Sequence, residues 1–64
     1  MRLATVLSIF FGNGGGVPSR VWVRSDSGTY NYDVHDLNEA RRYQPGMEIL
    51  INVENGRATP AEII

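Results

Sequence analysis

The chain contains no cysteine and no lysine, and it has one histidine, His35. Without cysteine there is neither a disulfide framework nor a thiolate zinc site to staple a core. A lone histidine excludes a multi-histidine metal site, so no metal or other cofactor is expected. Long hydrophobic runs are also missing. The longest near-apolar stretch, Leu3 to Phe11, is nine residues and includes Thr5 and Ser8, whereas a membrane span needs about 20. That stretch lacks the length and charge layout of a secretory signal, and a soluble cytoplasmic protein with no membrane partner is expected. Charge of one sign is not in excess. Six cations face seven anions, net −1, which excludes the chain-wide basic field of a duplex-DNA packer. Finally, 64 residues leave no room for a second domain. A chain of this size buries only about 60% of its unfolded surface, so residues 1–64 form one small domain without a two-layered enzyme cleft.

What is present reads as strands broken by turn chemistry. Leu3 to Phe11 is rich in β-branched and large apolar residues. It stops at Gly12-Asn13-Gly14-Gly15-Gly16, which no regular element tolerates. Arg20-Val21-Trp22-Val23-Arg24 alternates with period two, the signature of a half-buried strand. Asp26-Ser27-Gly28 marks a turn, and Tyr30 to His35 returns. Asp36-Leu37-Asn38-Glu39 has the spacing of a helix N-cap with a glutamate that reaches back. The helix is expected over Leu37 to Tyr43, ended by Pro45-Gly46. Met47 to Val53 is a fourth strand with Ile49, Ile51 and Val53 on one face. Asn55-Gly56 is a two-residue hairpin signal, and Arg57 to Ile64 is a fifth strand with Pro60 at an edge or bulge. This order predicts an all-β fold, a five-stranded OB-fold-like Greek-key barrel with a short helix between strands three and four. An SH3-like barrel is the competing architecture; it places its helical turn before the last strand.

The faces of the second hairpin follow from pairing. With Ser27-Gly28 as turn centres, Val23 faces Tyr32 and Val21 faces Val34, a consistent buried set. The other face then carries Arg24 opposite Asn31, Trp22 opposite Asp33, and Arg20 opposite His35. A one-residue slip would mix core and solvent on one face. Trp22 between two arginines is a stacking platform with phosphate partners beside it, and His35 adds a second flat ring. The plainer reading is that Trp22 closes one end of the barrel or packs under the glycine loop. Asp33 repels phosphate unless it pairs with an arginine or accepts from a base edge. The all-arginine cation set suits phosphate forks, although codon usage alone also accounts for it.

No catalytic constellation emerges. His35 reads as a hydrogen-bonded histidine, and Asp36 and Glu39 read as helix caps. The glycine run has neither the Gly-Lys-Ser/Thr nor the following helix of a phosphate loop. No nucleophile has a partner, and a non-enzyme is expected.

Several segments carry a family resemblance. Ala4-Thr5-Val6 stands where Gly-Thr-Val opens a first strand, and Val34-His35 keeps the end of a Val-Phe-Val-His strand at the same spacing from Gly28. Gly46, and then Gly56-Arg57-Ala58-Thr59-Pro60-Ala61, keep a Leu-x-x-Gly, strand, Gly-x-x-x-Pro-x-Ala order. In these the sequence resembles the bacterial cold-shock proteins, single OB-folds that bind single-stranded RNA and DNA. The departures fall on that family's binding residues. Its Lys-Gly-Phe-Gly-Phe-Ile motif is replaced by Pro18-Ser19-Arg20-Val21-Trp22-Val23, its middle phenylalanine by Asp33, and its first-strand tryptophan falls near Ser8.

Two functions are therefore expected in competition. One is single-stranded RNA or DNA binding through Trp22, His35, Arg20, Arg24, Phe10 and Asn31. The other is a protein-interaction module, binding a partner or a second copy as a homodimer. It would use the same strand face, an open strand edge, or the helix face with Arg41, Arg42 and Tyr43, since Trp, Tyr and Arg dominate interface hot spots.

Overall fold

Alternating apolar and polar residues build five antiparallel strands, and a curled sheet lets their apolar faces meet. The computed structural model describes residues 1–13 and 15–64. Strands β1 (Arg2–Phe10), β2 (Ser19–Ser25), β3 (Gly28–Val34), β4 (Glu48–Glu54) and β5 (Arg57–Ile63) form one sheet in the order β3-β2-β1-β4-β5. The helix α1 (Leu37–Ala40) lies between β3 and β4. β1 is shared: it pairs with β2 along one side and with β4 along the other. The sheet curls into a half-barrel that brings its two edges, β3 and β5, against each other. The fold is all-β and OB-like, with the helix in the third connection and not before the last strand.

The concave face holds the core. Ala4 and Val6 of β1, Val21 and Val23 of β2, Tyr32 and Val34 of β3, and Ile49 and Ile51 of β4 are all buried. Val53 is half-buried and packs against this cluster. Ala58 of β5, with Ala40 and Tyr43 from the helical segment, closes it. The Asn55-Gly56 turn forms as expected, with φ of 54° and 75° at its two centres. Pro60 also takes its expected place. The β4–β5 ladder slips between Leu50↔Glu62 and Ile51↔Pro60, so Ala61 is a bulge on an edge strand.

Two expectations need correction. The helix is shorter than Leu37 to Tyr43. Asp36 caps it, accepting from the Asn38 amide at 2.8 Å and the Glu39 amide at 3.4 Å. Among the described residues, Glu39 does not return a hydrogen bond to Asp36. After Ala40 the chain tightens to three-residue spacing, with Arg42 N–H donating to Glu39 O at 3.1 Å and Tyr43 N–H to Ala40 O at 3.2 Å. That tightening turns Tyr43 into the core, and Pro45 bars further helix.

The β2–β3 register is the second correction. Ser25 pairs with Gly28, so the turn centres are Asp26 and Ser27. Val23 faces Tyr30, Val21 faces Tyr32, Arg24 faces Thr29, Trp22 faces Asn31, and Arg20 faces Asp33. The strand has moved by two residues, which preserves every face while changing every partner. The cause is a local hydroxyl turn. Ser25 Oγ accepts from the Ser27 amide at 3.1 Å, and the Ser25, Ser27 and Tyr30 hydroxyls form a chain at 2.9 and 2.8 Å. Gly28 follows with φ of 139°, absorbing the twist that a turn with negative φ at both centres would otherwise leave.

One buried polar contact ties the helical segment to the sheet. Tyr32 donates its hydroxyl to that of Tyr43 at 3.0 Å, with the rings edge to face and centroids 6.2 Å apart. Burial first, and the hydrogen bond to Tyr43 second, raise the Tyr32 pKa far above its ordinary 10.0. The folded state holds this proton more tightly than the unfolded chain. The stability it carries is complete below pH 10.0 and is lost progressively as pH rises beyond that toward the raised folded value. The urea midpoint is expected to hold to about pH 9 and to fall above about pH 10. The fall should be shallower in Tyr32→Phe; an equally steep fall in that variant would assign the alkaline transition to other groups.

Candidate functional site

The convex face of β1, β2 and β3 carries three cross-strand rows. They are Phe10–Arg20–Asp33, Ser8–Trp22–Asn31 and Thr5–Arg24–Thr29. A bulge in β1 makes the first row possible. Val6 pairs with Val23 and Ser8 with Trp22, leaving Leu7 as the extra residue. Continued alternation from Ala4 and Val6 would turn Phe10 inward. The bulge resets the phase, so that Ile9 packs against the core and Phe10 stands on the convex face, 53% exposed. Phe10 and Trp22 thus become diagonal neighbours across β1 and β2, roughly 7–8 Å apart.

Five of the six expected residues share this face: Phe10, Arg20, Trp22, Arg24 and Asn31. Trp22 is half-buried and lies outside the core cluster. His35 does not join them opposite Arg20. The two-residue shift ends the ladder at Ser19↔Val34, leaving His35 exposed beyond the strand and next to the cap Asp36. Asp33 takes its place beside Arg20, and the Arg20 Nε donates to Asp33 Oδ1 at 2.9 Å. Arg20 thus sets a positive charge against the carboxylate within the face, which lessens its repulsion toward phosphate. The other ion pair among the described residues, Arg2 with Asp26 at 3.2 Å, lies at the far end of the hairpin. Arg24 has no ion-pair partner among the described residues.

Two shallow depressions open on this face. One, of about 310 Å³, is lined by Phe10, Val17, Pro18, Arg20, Trp22 and Asp33. The other, of about 460 Å³, runs from Arg20, Asn31 and Asp33 across the β3–β5 seam to Gly56 and Arg57. Arg57 was not a candidate from sequence; only its position after the Asn55-Gly56 turn marked it. Val17 and Pro18, which follow the glycine run, line the first depression. Gly12 N–H donates to the buried Ser19 Oγ at 2.9 Å, and a Cβ at Gly12 would overlap the Val17 carbonyl. Gly15 N–H donates to Asn13 Oδ1 at 2.7 Å; Gly14, within the same run, lies outside the described residues.

No protein-family model, curated protein or solved structure matches this chain. Among the described residues no three His, Cys, Asp or Glu side chains are grouped to hold a metal ion. None of the described helices is long and apolar enough to cross a membrane. The face offers two stacking rings, donor-only guanidiniums, one amide and one carboxylate. That set suits binding of a flat, anionic, flexible ligand.

Proposed function

We propose that this chain binds single-stranded RNA or DNA on the convex face of β1–β3, as a divergent cold-shock-like OB domain of the cytoplasm. The observation that carries this reading is the diagonal pair of Phe10 and Trp22 on the exposed sheet face, with Arg20 and Arg24 in the adjoining positions. Successive bases stack on the two rings, and the arginines, with Arg57 across the seam, take phosphates. Asn31, opposite Trp22, offers its amide to a base edge. Stacking is sequence-tolerant because every base has a π face. The net charge of −1 limits long-range attraction, so affinity is modest and rests on local contacts.

Trp22 is the only tryptophan, and its fluorescence reports the face directly. Titration with oligo-dT or oligo-U at low salt is expected to quench it. Single strands lose about 0.7 in log K per phosphate contact for each tenfold rise in salt, so contacts from Arg20, Arg24 and Arg57 give a slope of about −2. Unchanged fluorescence with both oligomers at low salt would defeat the proposal.

A second reading has its own observation. Phe11 and Val17 are 50% and 47% exposed beside Phe10, an apolar group at one end of the sheet that suits a protein partner or a second copy. Light scattering across a concentration series separates the self-association form of this reading from nucleic-acid binding. A dimer that dissociates in Phe11→Ser, with no oligonucleotide response, would favour the protein interface.

A further inference from the structure

The smaller depression has an uneven chemistry. Phe10, Val17, Pro18 and Trp22 give it apolar walls, and Arg20 and Asp33 are its charged side chains. Arginine and the tryptophan ring nitrogen only donate. Asp33 is therefore the one lining side chain that accepts a hydrogen bond. It is oriented by Arg20, whose Nε donates to Oδ1 at 2.9 Å. Its Oδ2 has no partner among the described residues, and the side chain remains 38% exposed. A carboxylate offers about four lone-pair sites, so the Arg20 contact leaves both oxygens able to accept more.

We propose that Asp33 makes this depression selective for guanine within an unpaired strand. The inference rests on the single-strand reading above and names its base preference. Guanine presents two adjacent donors, N1–H and N2–H, on its pairing edge. Adenine and cytosine each present one donor beside an acceptor. Thymine and uracil flank their one donor with two carbonyls. Two carboxylate oxygens match two adjacent donors. Against any other base, one oxygen meets a lone pair. The ring stacks between the apolar walls while Asp33 reads its edge, and Arg20 keeps the carboxylate from repelling the neighbouring phosphate.

The test uses hexathymidylate and hexamers in which one central thymine is replaced by guanine, inosine, adenine or cytosine. Each is titrated against Trp22 fluorescence. The guanine hexamer is expected to bind about tenfold more tightly than the adenine one, within the range a bidentate base contact gives. Inosine, which lacks the N2 amine, falls between them. Asp33→Asn removes the ranking and still binds hexathymidylate. Equal affinities for all five hexamers, or a ranking that survives Asp33→Asn, overturn the guanine assignment and leave single-strand binding standing. Loss of quenching by every hexamer overturns both.

Discussion

A protein carrying both Phe10→Ala and Trp22→Ala is expected to lose nearly all affinity for oligo-dT while remaining folded. Each stacked base is worth about 1–3 kcal/mol by alanine substitution, so two rings contribute about 2–6 kcal/mol. Even the low end is a loss of about thirtyfold. The fold survives because neither ring belongs to the buried cluster that holds the half-barrel together. Removing the only tryptophan also removes the fluorescence signal, so binding is followed by anisotropy of a labelled oligomer and folding by circular dichroism. Arg41→Ala with Arg42→Ala is the matched control. Those residues lie just past α1 and outside the β1–β3 rows, Arg42 beside Pro60 and Glu62 of β5, and their loss should leave affinity within about twofold, the ordinary reach of a surface change. Equal losses in the two double variants would mean that the oligomer is held by general charge and not by the rings.

The strands and the core were legible because period-two alternation is a direct imprint of a two-sided sheet. Val21, Val23, Ile49 and Ile51 are buried where the pattern puts them, and Asn55-Gly56 turns where its chemistry requires. Partners were harder to read than faces. Faces depend on parity, which a two-residue shift leaves untouched. Partners depend on the turn, and here the Ser25 hydroxyl, not the glycine, decides where the turn closes. The start of the helix was visible in Asp36. Its end was not, because it follows from the tertiary need to bury Tyr43 against Tyr32.

The site was legible to a similar depth. Trp22, Arg20 and Arg24 followed from alternation alone, and Asn31 kept its face through the shift. Phe10 reaches that face only through the bulge at Leu7, and no local residue choice in β1 announces one. His35 was misplaced by the same shift that brought Asp33 to Arg20. That exchange matters chemically. A ring opposite Arg20 would have extended a flat apolar surface, whereas the carboxylate there adds a hydrogen-bond acceptor.

Ile51→Ala is expected to have the largest effect on stability. Ile51 is fully buried, at 0% exposure, in the middle of β4. Truncating a buried isoleucine costs about 2–5 kcal/mol through lost transfer energy and the cavity left behind. At about 0.05–0.15 kcal/mol per residue, a domain of this size has only about 3–10 kcal/mol in total. No disulfide is available to offset the loss, since the chain has no cysteine. The urea midpoint should therefore drop steeply with an unchanged slope. Leu3→Ala, on the convex side of the neighbouring strand and 52% exposed, should lower the unfolding free energy by no more than about 0.5 kcal/mol. Similar shifts for the two variants would mean that the half-barrel does not close over Ile51. Binding links this result to function. The convex face of β1–β3 depends on the same curled sheet, so under the proposed function Ile51→Ala is expected to weaken oligonucleotide binding only by unfolding the protein. A ligand at one hundred times its Kd restores about 2.7 kcal/mol by mass action. Saturating oligo-dT is therefore expected to raise the midpoint of Ile51→Ala as far as it raises that of the unaltered protein, and to leave that of Phe10→Ala with Trp22→Ala where it was.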